Sequence, residues 1–350
     1  MQNRTIKLWA AGLALLTCST VQSDETKIPS QPLTRIVFGS CIKQDQPTPI
    51  FYTMSSPPPE LLLFTGDNIY GDTDDMAIMR SKYSRLAANP AFAKLVRLSP
   101  VMATWDDHDY GVNDGGADFA KRNESQKEFA DFWRLPAKSP VRSRAGVYDT
   151  RMFGPAGKRT QVILLDTRYF RSKLKHGTRR VGGPYLPDAD ASKTMLGDAQ
   201  WHWLDQQLRK PAQLRIIVSS IQFVASAAGQ ECWANLPTER MRMLELIQST
   251  KANGVIFISG DRHWSEFSAI KANVPYPIYD ITCSSLNQLH ARGTPTENEF
   301  RVNQTTYHRE NYGVLSVDWD AADPELRISI RDMEAAPRIE TTLRLSELSQ

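Results

Sequence analysis

Leu61-Leu62-Leu63-Phe64-Thr65-Gly66-Asp67-Asn68-Ile69-Tyr70 is an apolar run that stops at a glycine, followed at once by a carboxylate and three residues later by a phenol. Four successive apolar residues bounded by glycine suit an interior strand buried on both faces. Gly66 permits a tight exit that leaves Asp67 at the strand end. The pattern recurs along the chain. Residues 35–38 lead through Gly39 to Cys41, residues 101–105 lead to Asp106-Asp107-His108-Asp109, and residues 254–258 lead through Gly260 to Asp261 and His263. Carboxylate, thiol, phenol and imidazole groups on loops leaving buried strands are how an α/β layer protein assembles a two-metal hydrolytic centre.

Further strands are expected at residues 146–151, 161–165, 214–218, 279–282, 312–318 and 325–330, and helices at 75–98, 119–133, 198–208 and 238–249. Strands and helices alternate in the middle while late strands cluster, as expected for two sheets covered by helices. Residues 169–196 are basic and rich in Gly and Pro, a surface excursion expected near the site mouth. Lys173, Lys175, His176, Arg179 and Arg180 there either attract anionic substrate or form a solvated loop.

The first residues carry Arg4 and Lys7, an apolar stretch from Leu8 to Leu16 and a polar exit. They read as a signal peptide over 1–23, cleaved before Asp24 to release a periplasmic or secreted protein. The stretch is too short to span a bilayer. The alternative is lipid attachment at Cys18, after Leu15-Leu16-Thr17, giving an outer-membrane lipoprotein. Residues 24–350 are expected to form a single domain. Losing the first 23 residues lowers the net charge from +3 to about +1, and the mixed charges imply no specific nucleic-acid partner. Cys41, Cys232 and Cys283 leave an odd count, so one thiol stays unpaired, binds metal or pairs outside the chain; Cys232 and Cys283 could form a disulfide. The sequence sets no oligomeric state.

The acidic groups need a cation, because burying such a run without counter-ions costs several kcal/mol or more. Asp67 can bridge two ions with one oxygen to each. A Cys41, Tyr70 and Asp67 set suits iron better than magnesium, with zinc possible. Asp261 and His263, at i and i+2, can face one centre. Arg168 and Arg262 can neutralise phosphoryl oxygens, and His108 can bind phosphate or protonate the leaving oxygen. A metal-activated hydroxide would then attack phosphorus in line and expel the alcohol.

With Cys41, Gly66 to Tyr70, Trp105 to Asp109 and Ser259 to Trp264, the chain resembles the alkaline phosphatase D (PhoD-like) family, and the likeness extends through Leu165-Asp166-Thr167-Arg168 and residues 200–204. The resemblance implies a four-layer α/β/β/α calcineurin-like metallophosphoesterase sandwich. It implies hydrolysis of small phosphate esters, monoesters or diesters, by Fe3+ paired with one or two divalent ions, commonly Ca2+, with Zn2+ less favoured. It places Cys41 and Tyr70 on iron, Asp67 as the bridge, Asp107 or Asn113 or both on the divalent ion, His108 beside the phosphate, and Asp261 and His263 as the last ligand motif. The broader superfamily usually opens with an Asp-x-His pair, here replaced by Cys41, and carries a histidine where this chain has Ser219-Ser220-Ile221-Gln222.

Two other readings have sequence features against them. A GDSL-like serine esterase would need a nucleophile after Gly66-Asp67, where Asn68 stands, and usually separates its late Asp and His by two residues rather than one. A non-catalytic anion-binding periplasmic protein has no evident need for Cys41 and Tyr70 beside Asp67.

Overall fold

The computed structural model describes residues 31–180, 183–226, 229–290 and 296–350. The signal segment and Cys18 lie outside them. In chain order the first strands are β1 (Arg35–Gly39), β2 (Leu61–Thr65), β3 (Val101–Thr104), β4 (Asp149–Phe153), β5 (Thr160–Leu164), β6 (Lys175–Arg180) and β7 (Gly183–Leu186). They are followed by β8 (Leu214–Val218), β9 (Val255–Ser259), β10 (Glu266–Ile270), β11 (Ile278–Thr282), β12 (Tyr312–Asp318), β13 (Glu325–Arg331) and β14 (Pro337–Arg344). The helices are α1 (Ile50–Met54), α2 (Met76–Ala87), α3 (Pro90–Leu98), α4 (Asp107–Tyr110), α5 (Arg122–Phe132), α6 (Gly197–Leu208) and α7 (Pro237–Ser249).

Two six-stranded sheets, in the orders β14-β13-β12-β1-β2-β3 and β10-β11-β9-β8-β5-β4, make the body of the protein. β1, β2 and β3 run parallel in one sheet, and β5, β8, β9 and β11 run parallel in the other. Every residue of β2, β5, β8 and β9 is buried, which explains their continuous apolar sequences. Side-chain alternation divides the first sheet. Ile36 and Phe38 with Leu61 and Leu63 join a large core containing Ile217, Val218, Phe257 and Ile258 of the second sheet. Val37, Leu62 and Phe64 turn instead toward Phe51 of α1, Met79 and Tyr83 of α2, and Phe92 of α3. Trp201 and Leu204 of α6 and Met243 of α7 complete the large core, so helices flank the pair of sheets.

Local chemistry explains where the structure departs from expectation. The single helix expected over 75–98 is split at Asn89, whose side chain accepts from the N–H groups of Ala91 and Phe92 while Pro90 occupies the first turn. The strand expected at 146–151 begins only at Asp149, because Gly146 has φ +87° and the Val147 N–H donates to Asp166. The excursion at 169–196 contains the β6–β7 hairpin. No disulfide joins Cys232 to Cys283; Cys41, Cys232 and Cys283 are all buried thiols. No described helix is long and apolar enough to cross a membrane.

Replacing Asn89 with Ala should remove the α3 cap and lower stability by about 1 kcal/mol in urea unfolding. An unchanged midpoint would show that the α2–α3 break does not depend on that cap.

Candidate metal centre

The carboxyl ends of the parallel strands bring the donors together, as open α/β sheets do with their sites. Cys41 follows β1, Asp67 follows β2, Asp106 and Asp107 follow β3, and Asp261 and His263 follow β9. The loops are joined by backbone bonds: the Ile42 N–H donates to the Asp67 carbonyl at 2.7 Å, and the Gly71 N–H to the His108 carbonyl at 2.9 Å. Four donors have left-handed backbones, at φ 63° for Cys41, 51° for Asp67, 67° for Asp261 and 58° for His263. Such conformations are uncommon for residues other than glycine and gather at functional sites.

Two glycines make the approach possible. A Cβ on Gly66, at φ +111°, would lie 2.6 Å from the Asp106 Cβ, and one on Gly260 would lie 2.5 Å from Ser40 Oγ. Gly66 therefore lets the β2 and β3 exits touch, while Gly260 lets the second sheet meet the first.

Around Asp67 three donor sets meet. Donor atoms of Cys41, Asp67 and His263 lie within 4.8 Å of one another, as do those of Asp67, Asp107 and His108. A third such set joins Asp67, Asp106, Asp107 and Asp261. The Tyr70 hydroxyl donates to Asp67 Oδ2 at 3.2 Å and sits 2.7 Å from His263 Nε2, and the Cys41 thiol is 3.5 Å from Asp67 Oδ2. Ser284, after β11, supports this side: its hydroxyl accepts the His263 N–H at 2.7 Å and lies 3.0 Å from Cys41 Sγ. Asp67 Oδ1 is buried without a hydrogen-bond partner. Burial pushes the Asp67 carboxyl, the Tyr70 phenol and the Cys41 thiol above their ordinary values. The protein thus surrounds these groups with too little positive charge for their anions, and cations fit the open oxygen and the donor set.

Burial, with His290 and Arg262 nearby, lowers His263 to about 3, so its imidazole is neutral and available as a ligand. Burial also opposes charge on His108, but the carboxylates of Asp67, Asp107 and Asp72 outweigh it and raise the imidazole to about 10. His108 Nδ1 is 2.6 Å from Asp72 Oδ1, and its ring lies over Tyr70 with centroids 4.2 Å apart. Asp107 is acidic despite burial, because Arg168 and His108 attract its charge; it also accepts the Asp114 N–H at 2.7 Å.

Several expected residues have other partners. Arg168, expected at the phosphate, is fully buried, and its guanidinium donates to Asp106 and to Glu231. Arg262 is ion-paired with Asp261. Asn113 is exposed, while its neighbour Asp114 points inward to a group with Asp107 and Glu231. Asn68, where an esterase nucleophile would stand, donates its amide to the Thr104 carbonyl and to Asp109. Where a histidine is usual after β8, the Ser220 hydroxyl donates to Asp106. Sequence reasoning gave no role to Asp72, which closes the acidic cluster of residues 64–72, or to Ser284, Glu231 and His290, whose ring centroid is 4.7 Å from that of His263; the last three follow no motif, and only the fold brings them in.

Facing sheets flanked by helices, with donors gathered at their parallel strand exits, define a fold of the calcineurin-like metallophosphoesterase type. The chain belongs to the PhoD-like phosphatase family, which matches residues 36–319. A solved structure described as PhoD is similar to it with TM-score 0.72 and 17% identity, over 90% of this chain and 69% of that one. A dimetal phosphatase from Danio rerio gives TM-score 0.55 at 11% identity, over 90% of this chain and all of the other. GAP50, described as the anchor in the inner membrane complex of Plasmodium, gives 0.53 at 11% identity, over 90% and 89%. Alkaline phosphatase D of Bacillus subtilis (strain 168) is 24% identical over 206 residues, 53% of this chain; the match spans 33% of that relative's length.

Gly66→Ala should be destabilised by about 2–4 kcal/mol, from the left-handed backbone and the Asp106 contact together, and should purify with less bound metal. Wild-type unfolding and metal content would show that the β2 and β3 exits need not meet this closely.

Proposed function

We infer that the chain is an exported, metal-dependent phosphoric ester hydrolase of four-layer α/β/β/α architecture, acting on phosphomonoesters, phosphodiesters or both. The observation that carries this reading is the place of Asp67 between two chemically different donor sets. On one side stand thiol, phenol and imidazole, a mixture suited to Fe3+. On the other stand Asp107 and further oxygen donors, suited to a harder divalent ion such as Ca2+. Bound there, the ions would supply an activated water and hold charge on the phosphoryl oxygens.

The side chains supply orientation. Asp67 keeps Oδ2 against Cys41 and Tyr70 and Oδ1 without a partner, so bridging through both oxygens would fix the spacing of the two positions. Asp72 holds His108 through Nδ1, which directs Nε2 toward the ester, where it can bind a phosphoryl oxygen or give a proton to the leaving alcohol. Arg262, buried and tied to Asp261, keeps Nε without a partner, a donor for an anionic substrate. Arg168 acts instead from inside, as the counter-charge to Asp106. Periplasmic or secreted release follows from the leader-like first 23 residues.

A related fold is described as an anchor, so architecture alone does not carry activity. Turnover decides between a hydrolase and an anion-binding protein. Purified protein should hydrolyse p-nitrophenyl phosphate or its bis ester, lose that activity on chelation, regain it with iron and calcium, and resist a serine-directed fluorophosphonate. Asp67→Asn should lower turnover by more than about 100-fold with little change in unfolding. Full turnover in metal-depleted protein would overturn the reading.

A further inference from the structure

Glu231 lies on the segment after β8, is buried, and belongs to none of the strand-exit motifs. Arg168 Nη1 donates to Glu231 Oε2 at 2.6 Å, and Arg171 Nη2 stands 2.9 Å from Glu231 Oε1. On the opposite side, Arg168 Nε donates to Asp106 Oδ1 at 2.5 Å. Its Nη2 is only at the outer limit of an ion pair with Asp107, 3.9 Å from Oδ1. The guanidinium is stretched between Glu231 and Asp106, just short of Asp107.

That shortfall matters because Asp107 also belongs to the set with Asp67 and His108. A cation entering that set and the Arg168 guanidinium compete for one carboxylate. We propose that Glu231 is a positioning residue for the divalent subsite: by anchoring Arg168 it keeps the Asp107 carboxylate available to a hard cation. Arg168 is fully buried and has no solvent to turn to; among the described acids in ion-pair range its Nη2 already lies 2.5 Å from Asp106 Oδ1, so without Glu231 the one left for its freed nitrogen to turn toward is Asp107. The proposal rests on the reading of Asp107 as a metal ligand.

Glu231 also contributes negative charge, its carboxylate lying within 4.8 Å of donor atoms on Asp107 and Asp114. Two variants of the full-length protein separate charge from reach. Glu231→Gln removes the charge, and Glu231→Asp keeps it but is too short to hold Arg168. Calcium affinity is measured by titration calorimetry, and the other subsite is followed by iron content and its visible tyrosinate absorbance. Both variants should bind calcium about 10- to 100-fold more weakly, with iron content and absorbance unchanged. Wild-type calcium affinity in Glu231→Asp, or equal loss at both subsites, would overturn the positioning role. Should Glu231→Gln fail to fold, Glu231→Asp decides alone. Wild-type protein that takes up neither ion would instead overturn the metal reading itself.

Discussion

Repulsion among carboxylates held at the ends of adjacent strands is the constraint around which this protein is organised. Asp67, Asp106, Asp107 and Asp109 are all buried within two neighbouring strand exits. Isolated anions in such surroundings are costly, and the group is tolerable only if each charge is answered. The structure answers them in different ways. Asp109 is held by the amide of Asn68 and the Asp106 N–H, Asp106 by Arg168 and Ser220, and Asp107 by the Asp114 N–H and the more distant Arg168. Asp67 Oδ1 and Asp106 Oδ2 keep no hydrogen-bond partner, and Asp67 is the acid that the donor sets of Cys41 and His263 and of Asp107 and His108 share.

The fold makes that concentration of charge possible by separating support from chemistry. Parallel strands buried on both faces fix the origins of the loops, and the shared core between the sheets fixes their spacing. Behind the acidic run, Trp105, Tyr110, Phe119 and Phe129 form a separate aromatic cluster. The short α4 helix therefore rests on packed rings rather than on solvent, which keeps Asp107 and His108 at a defined height above the sheet.

The parts of this arrangement legible in the sequence are those encoded within a few residues. An apolar run, a glycine and a ligand-type residue announce a strand exit, and the exits carrying Cys41, Asp67, Asp107, Asp261 and His263 could be placed this way. Pairings made across the fold could not. Asp72 meets His108 across 36 residues, Ser284 meets Cys41 across 243, and Glu231 meets Arg168 across 63. Arg168 shows the limit most clearly: an arginine near an acidic site reads equally well as a substrate clamp or an internal counter-ion, and only its burial separates the two. β10 and β14 were missed as well; their residues border loops, and both are edge strands whose pairing is set by neighbours remote in sequence.

The left-handed backbones at Cys41, Asp67, Asp261 and His263 also bear on how this protein can change over generations. Asn, Asp, His and Gly occupy that region with the least strain, whereas β-branched residues do so rarely. Drift at these four codons is therefore filtered twice, once by donor chemistry and once by the main chain. The accessible routes to a centre of different metal preference pass through a small alphabet of polar residues, and valine, isoleucine or threonine are dead ends even where their size would fit.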